Sequence, residues 1–227
     1  MKKIISLVFG ILAIAALSAC RDDSGPYASQ FTSYDIVVYD EYSKSGGSQY
    51  TLYRPDSDEP IVYRAPDQYI REEAIPVGDR LLLGYIPAGK PFESGDIRIT
   101  GYSQIANDDL RTYTLEQLEN SRWDRDPIYL SSIWRAGPYI NVHGKLTYSE
   151  GDTVLRLGVT DTDLDNENPV PTLYLIYQMR YPEPNFSREF YASFFIGDLW
   201  HESWCEGVRV VLNNDNLQQN EFTFTKQ

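Results

Sequence analysis

Along most of the chain, apolar and polar residues alternate in short runs, the period of a β-strand with one dry face and one wet face. The stretch 139–148 shows it plainly: Ile140, Val142, Gly144 and Leu146 fall on one side, Asn141, His143, Lys145 and Thr147 on the other. Leu173, Leu175, Tyr177 and Met179 repeat the pattern, and Val154, Leu155 and Leu157 around Arg156 give a similar signal. Such alternation predicts antiparallel sheets with one buried face.

Runs rich in β-branched and aromatic residues predict strands over 34–39, 50–53, 61–64, 80–86 and 97–102. Between them lie turn compositions such as Ser43-Lys44-Ser45-Gly46-Gly47, Pro55-Asp56-Ser57-Asp58 and Val77-Gly78-Asp79. Five strands so spaced suit a small barrel. Thr114, followed three residues later by Gln117, predicts a capping box and a helix of two turns ending near Asn120. The polar stretch Ser121 to Asp126 is the predicted boundary between units. Beyond Pro127, strands are predicted over 128–135, 139–148, 153–160, 172–181, 187–196, 208–212 and 222–225, the signature of a β-sandwich.

The first twenty residues follow a different rule. Lys2 and Lys3 precede the mostly apolar run Ile4 to Leu17, which ends in Leu17-Ser18-Ala19-Cys20. A basic start, a short apolar stretch and small residues at the end predict a cleaved leader, and the run is too short for a comfortable membrane span. The terminal pattern resembles the lipobox of bacterial lipoproteins, which implies cleavage before Cys20 and a diacylglyceryl group on its sulfur. Two or three acyl chains, at about 0.8 kcal/mol per buried methylene, hold a protein essentially permanently at a bilayer. Arg21-Asp22-Asp23 resembles the surface-export signal of lipoproteins in Bacteroides-type bacteria, with a solvated linker as the alternative reading. The expected location is the cell envelope, anchored to the outer membrane.

The formal charge is −13, and loss of Lys2 and Lys3 with the leader takes it to −15. That argues against nucleic acid or anionic lipid as partner and favours a cationic one. With Cys20 committed to lipid, Cys205 has no partner for an internal disulfide, and a body of this length needs none.

A resemblance adds to these readings. The anchored Cys20, the strand opening Val77-Gly78-Asp79-Arg80-Leu81-Leu82-Leu83, and the second half opening Asp126-Pro127-Ile128-Tyr129-Leu130 before Gly137-Pro138-Tyr139-Ile140-Asn141-Val142 together resemble the NigD-like lipoprotein family. The chain resembles a divergent member, since 173–181 lacks a His-Asn pair associated with that family. The resemblance implies an all-β fold, an OB-like small barrel followed by an antiparallel β-sandwich. The chain then divides into a leader 1–19, a lipidated tether 20–32, an OB-like unit 33–122 and a sandwich unit 123–227. It also implies a binding or immunity-type protein rather than an enzyme, meeting a peptide or other protein partner; a surface glycan-binding lipoprotein is the alternative.

Chemical motifs are sparse. His143 and His201 are the only histidines, fewer than a typical zinc site uses, and both read best as satisfied or surface imidazoles. His201-Glu202-Ser203-Trp204-Cys205 gathers a base and a thiol, but Cys-His pairs normally come from distant parts of a chain, and a lone Cys is more often a small buried residue. Asp161, Asp163 and Asp165 could converge on Ca²⁺, yet Asn166 and Thr172 stand where an EF-hand needs Gly and Glu, so a solvated loop is the default and no cofactor is expected. No Gly-x-Ser-x-Gly or phosphate-cradling loop occurs. Trp200 and Trp204, beside Gly197-Asp198, lie where no strand is predicted and are the candidate ligand contacts.

Overall fold

The computed structural model describes residues 32–43, 47–68, 70, 74–148, 153–164, 168–179 and 186–226. Cys20, with the predicted leader and lipid anchor, lies outside the described residues.

The first five strands are β1 (Ser33–Ser43), β2 (Gly47–Tyr53), β3 (Pro60–Ala65), β4 (Arg80–Pro87) and β5 (Gly95–Gln104). They close into a barrel in the order β1-β2-β3-β5-β4, with the one parallel contact, β3 to β5, at Tyr63–Gly95 and Arg64–Asp96. Register shifts at Tyr39/Glu41 in β1 and at Gly84/Tyr85 in β4 supply the bends that a small barrel needs. Gly84 lets the Tyr34 ring lie close over this bend; a Cβ there would fall 2.8 Å from the ring and push it aside. The barrel interior is filled by Val37, Leu52, Leu81, Leu83 and Ile97 and by four tyrosines, Tyr39, Tyr50, Tyr63 and Tyr85.

Two short strands follow, β6 (Ala106–Asp109) and β7 (Arg111–Tyr113), and then helix α1 (Leu115–Ser121). Thr114 accepts from the Gln117 backbone N–H while the Gln117 side chain accepts from the Thr114 N–H, the reciprocal cap predicted from the sequence. Arg122, at φ 50°, ends the helix in the left-handed region.

The rest comprises β8 (Tyr129–Ala136), β9 (Tyr139–Tyr148), β10 (Thr153–Thr160), β11 (Thr172–Met179), β12 (Phe186–Phe195), the single turn α2 (Gly197–Trp200), β13 (Gly207–Leu212) and β14 (Glu221–Thr225). One sheet runs β14-β13-β11-β10-β7 and the other β6-β12-β9-β8. Between them lies an apolar core that includes Ile140, Val142, Leu157, Val159, Leu173, Leu175, Phe194 and Val210. The alternation read in 139–148 holds, with Ile140, Val142 and Leu146 in that core.

The fold is all-β, a barrel with a sandwich, and differs from the sequence expectation in two particulars. The sandwich sheets are mixed, because β10 pairs with β7, β11 with β13 and β12 with β6 in parallel. In addition β6 and β7, which the sequence reading gave to the first unit, hydrogen-bond to strands of the second half. Ala-Asn-Asp-Asp carries little strand propensity, and Arg-Thr-Tyr, though Thr and Tyr favour strands, is only three residues long; the open edges of β12 and β10 make strands of them.

Barrel and sandwich meet through a polar seam. Pro55 forms an isolated bridge with Ala136, Asp56 N–H donates to Arg135 O at 2.9 Å, and Gly137 N–H donates to Ser57 O at 2.8 Å. Gly137 has φ +57°, and a Cβ on it would fall 2.4 Å from the Tyr53 ring, so no other residue suits this corner. Arg135 pairs with Asp58 and donates to Gly137 O. Arg80, 4 % exposed, donates from Nη2 to Asn141 Oδ1 at 3.1 Å and lies 3.9 Å over the Tyr139 ring.

Candidate binding site beneath Trp204

At one end of the sandwich, β12 runs into the turn of α2 and a short linker returns the chain to β13. Ile196 N–H donates to Pro138 O and Trp200 N–H to Ile196 O, which ties this turn to the corner before β9. Gly197 is needed at the turn because a Cβ would lie 2.3 Å from the Phe195 ring. Leu110, the residue joining β6 to β7, donates its N–H to Phe195 O and brings Asp109 and Thr112 beside the same end.

These segments enclose an open cleft of about 420 Å³. Leu110, Val159, Leu164, Ile196 and Leu199 make its floor and half-buried Trp204 part of its wall. Asp109, Asp198 and Glu202 are the charged lining residues; no Lys, Arg or His lines it. Their side chains form no ion pair among the described residues. A cleft with an apolar floor and three carboxylates has the character to hold an aliphatic stem that carries a cation.

The two candidate tryptophans part company here. Trp204 lines the cleft, whereas Trp200 is 2 % exposed and belongs to the sandwich core, with the Arg135 guanidinium 4.5 Å and Lys226 Nζ 5.5 Å from its ring centre. α2 turns Trp200 inward, so Trp200 cannot be a direct surface contact. What the sequence reading missed is the acidic rim: Asp109 comes from a strand that it did not predict.

Other candidates resolve into structural roles. Cys205 is buried, its thiol donates to Gly207 O at 3.3 Å, and burial pushes its pKa up, which disfavours the thiolate; no hydrogen bond joins it to His201. His143 contacts Glu189 at 2.7 Å and stacks on Tyr191 with ring centres 4.2 Å apart. Asp163 accepts from the Thr160 hydroxyl at 2.6 Å, and Asp161 accepts from Thr162 N–H at 2.9 Å, so both carboxylates brace their turn; Asp165 lies outside the described residues. Among the described residues no three His, Cys, Asp or Glu side chains cluster as metal ligands.

No family model matches the chain, and no curated protein sequence matches it. Solved structures do. A DUF1344 protein of unknown function from Bacteroides vulgatus superposes with a TM-score of 0.66 at 16 % identity, covering 86 % of this chain and 90 % of the other. A protein provisionally described as a lipoprotein, from Bacteroides fragilis, gives 0.59 at 9 % identity, covering 87 % and 98 %. A NigD-like immunity protein from Bacteroides caccae gives 0.54 at 15 % identity, covering 87 % and 92 %. At such identities the likeness establishes a shared all-β fold over nearly the whole length of each.

Proposed function

We propose that this chain is a non-enzymatic, NigD-like lipoprotein of the cell envelope, held at the outer membrane through Cys20, which binds a basic peptide in the cleft beneath Trp204. The carrying observation is the cleft itself: three carboxylates, no lining cation, an apolar floor and a half-buried tryptophan. The leader ending in Leu17-Ser18-Ala19-Cys20 supports the anchor, and neighbours described as a lipoprotein and a NigD-like immunity protein are consistent with both halves of the reading. The chain's charge of −13 adds a long-range attraction for a cationic ligand.

Titration with a lysine-rich amphipathic peptide tests the cleft. Binding should weaken about tenfold in Trp204→Ala and fall steeply with added salt. Equal affinity of wild type and Trp204→Ala sinks the assignment, and retardation on a polysaccharide gel without peptide binding favours a glycan ligand instead. Incorporation of labelled palmitate, abolished in Cys20→Ser, tests the anchor. Survival of a toxin-sensitive strain that expresses the protein tests the immunity role.

A further inference from the structure

Along the edge of the sandwich that carries β6 and β7, toward the end of β12 and β10 opposite the Trp204 cleft, two strand edges are left open among the described residues. β12 is paired with β9 along its whole length, but on its other side β6 covers only Ala192–Phe195. β10 is likewise covered by β7 only over Gly158–Thr160. Beyond the ends of β6 and β7 the two sheets gape into a groove of about 490 Å³, lined in part by Leu82 and Gln104 of the barrel and by Leu146, Leu155, Arg188 and Phe190 of the sandwich.

The direction of the free backbone groups follows from two hydrogen bonds. Phe195 O accepts from Leu110 N–H, so the Phe195 peptide groups point away from β9. The β9–β12 register has no shift, and N–H and C=O groups alternate sides along a strand, so Glu189 and Ser187 point the same way, into the groove. On the opposite sheet Asp161 N–H donates to Tyr113 O, and by the same alternation Leu155 and Leu157 turn their peptide groups toward the groove. Among the described residues no strand pairs with these groups. Side chains alternate as well: Phe190 and Arg188 face the space between the sheets, while Glu189 and Tyr191 face outward.

We infer that this groove receives an extended peptide laid beside β12 in line with β6, completing the sheet by main-chain pairing. Ser187 to Tyr191 gives five residues of edge, about 17 Å of strand. The guest would turn apolar side chains toward Phe190, Leu146 and Leu155 and set a cation beside the exposed Glu189 carboxylate, whose Oε1 also contacts His143 at 2.7 Å, while Arg188 at the open end keeps its apolar row short. A second copy of this chain is the poorer occupant, because each copy carries a charge of −13. The inference is independent of the Trp204 cleft.

The probe is the acetylated heptapeptide amide Thr-Val-Lys-Val-Thr-Val-Lys, compared by calorimetry with a version N-methylated at alternate residues. The unmodified peptide should bind and slow amide exchange at Ser187 and Glu189, and the N-methylated one should lose at least about tenfold in affinity. Glu189→Pro removes a groove-facing N–H but no bond to β9, and should weaken binding to a similar degree with the melting temperature nearly kept. Should that variant fail to fold, Glu189→Lys keeps the N–H and should lose the basic peptide yet bind the analogue with Glu in place of Lys. Trp204→Ala should bind the probe as wild type does, separating this groove from the cleft. Absence of binding, equal binding of the N-methylated peptide, slow exchange at Ser187 and Glu189 in the free protein, or dimerisation through this edge would each overturn the inference.

Discussion

In the barrel, the four largest fully buried side chains are tyrosines, and each hydroxyl has to be placed. Tyr39 stacks on Tyr50 with centres 5.3 Å apart and donates to Ile70 O; the Tyr50 hydroxyl donates to Ser48 Oγ at 2.9 Å, and Ser48 donates in turn to Gln68 O at 2.7 Å; Tyr85 donates to Asp35 at 2.8 Å and lies 3.2 Å from the Tyr63 hydroxyl. The sandwich instead closes on Leu, Val, Ile and Phe, with Tyr177 and Trp200 as its large polar-tipped exceptions. The contrast teaches where each half is vulnerable. The sandwich depends on packed volume, the barrel on a hydrogen-bonded interior in which one lost partner strands another.

The largest expected break is in the sandwich. Leu157 is fully buried, and Leu157→Ala should cost about 3 kcal/mol in urea denaturation through lost transfer energy and a residual cavity. A cost below about 1 kcal/mol would mean that the two sheets collapse freely onto the gap.

The seam comes next. Asn141 Oδ1 accepts from both Arg80 and Ser193, and Arg80 Nε and Nη1 have no acceptor among the described residues. Burial lowers the Arg80 pKa to about 10, a sign of how poorly the charge is solvated there. Asn141→Ala should therefore destabilise by about 2–3 kcal/mol by leaving the guanidinium without its one amide oxygen. Arg135 is also buried and its Nε also lacks an acceptor among the described residues, but it keeps Gly137 O when Asp58 is lost: Asp58→Ala should cost about 1–2 kcal/mol, less than Asn141→Ala, since Asp58 itself is largely exposed.

Within the barrel the effect per atom is smaller. Tyr85→Phe should cost about 1–2 kcal/mol, because the change leaves Asp35 and Tyr63 short of a partner without opening a cavity. Smallest is a pH effect on the same pair. Burial raises the Asp35 pKa against the opposing pull of the Tyr85 hydroxyl. A raised carboxyl contributes most when protonated, and that contribution fades as the pH climbs from the ordinary carboxylate range through the folded value. Asp35→Asn should accordingly melt slightly higher than wild type at pH 7 and no higher at pH 3; the same gap at both pH values would place its origin outside ionisation.

The sequence disclosed elements whose own residues encode them. The alternation in 139–148, the barrel strands and the Thr114–Gln117 cap all appear where the side-chain pattern puts them, because each is dictated by local spacing. Elements that exist through a partner stayed hidden. β6 and β7 are polar and short, and nothing in Ala106 to Tyr113 announces that two sheet edges recruit them. Trp200 was misjudged for a related reason: its neighbours in sequence suggest a loop, while the turn of α2 rotates the indole under Arg135. The acidic cleft was out of reach because Asp109 and Glu202 lie far apart in sequence and meet only through that recruitment.

The single residue between β6 and β7 sets a strict arithmetic. Leu110 passes the chain from one sheet to the other with no slack, like one stitch across a hem. Because strand side chains change face at every step, an extra residue inserted there would invert the outlook of every position on one flank or force the hem open. Length variation at that point should thus be tolerated far less than in any hairpin loop of the molecule, and the spacing from Asp109 to Thr112, on which the mouth of the cleft is drawn, is fixed along with it.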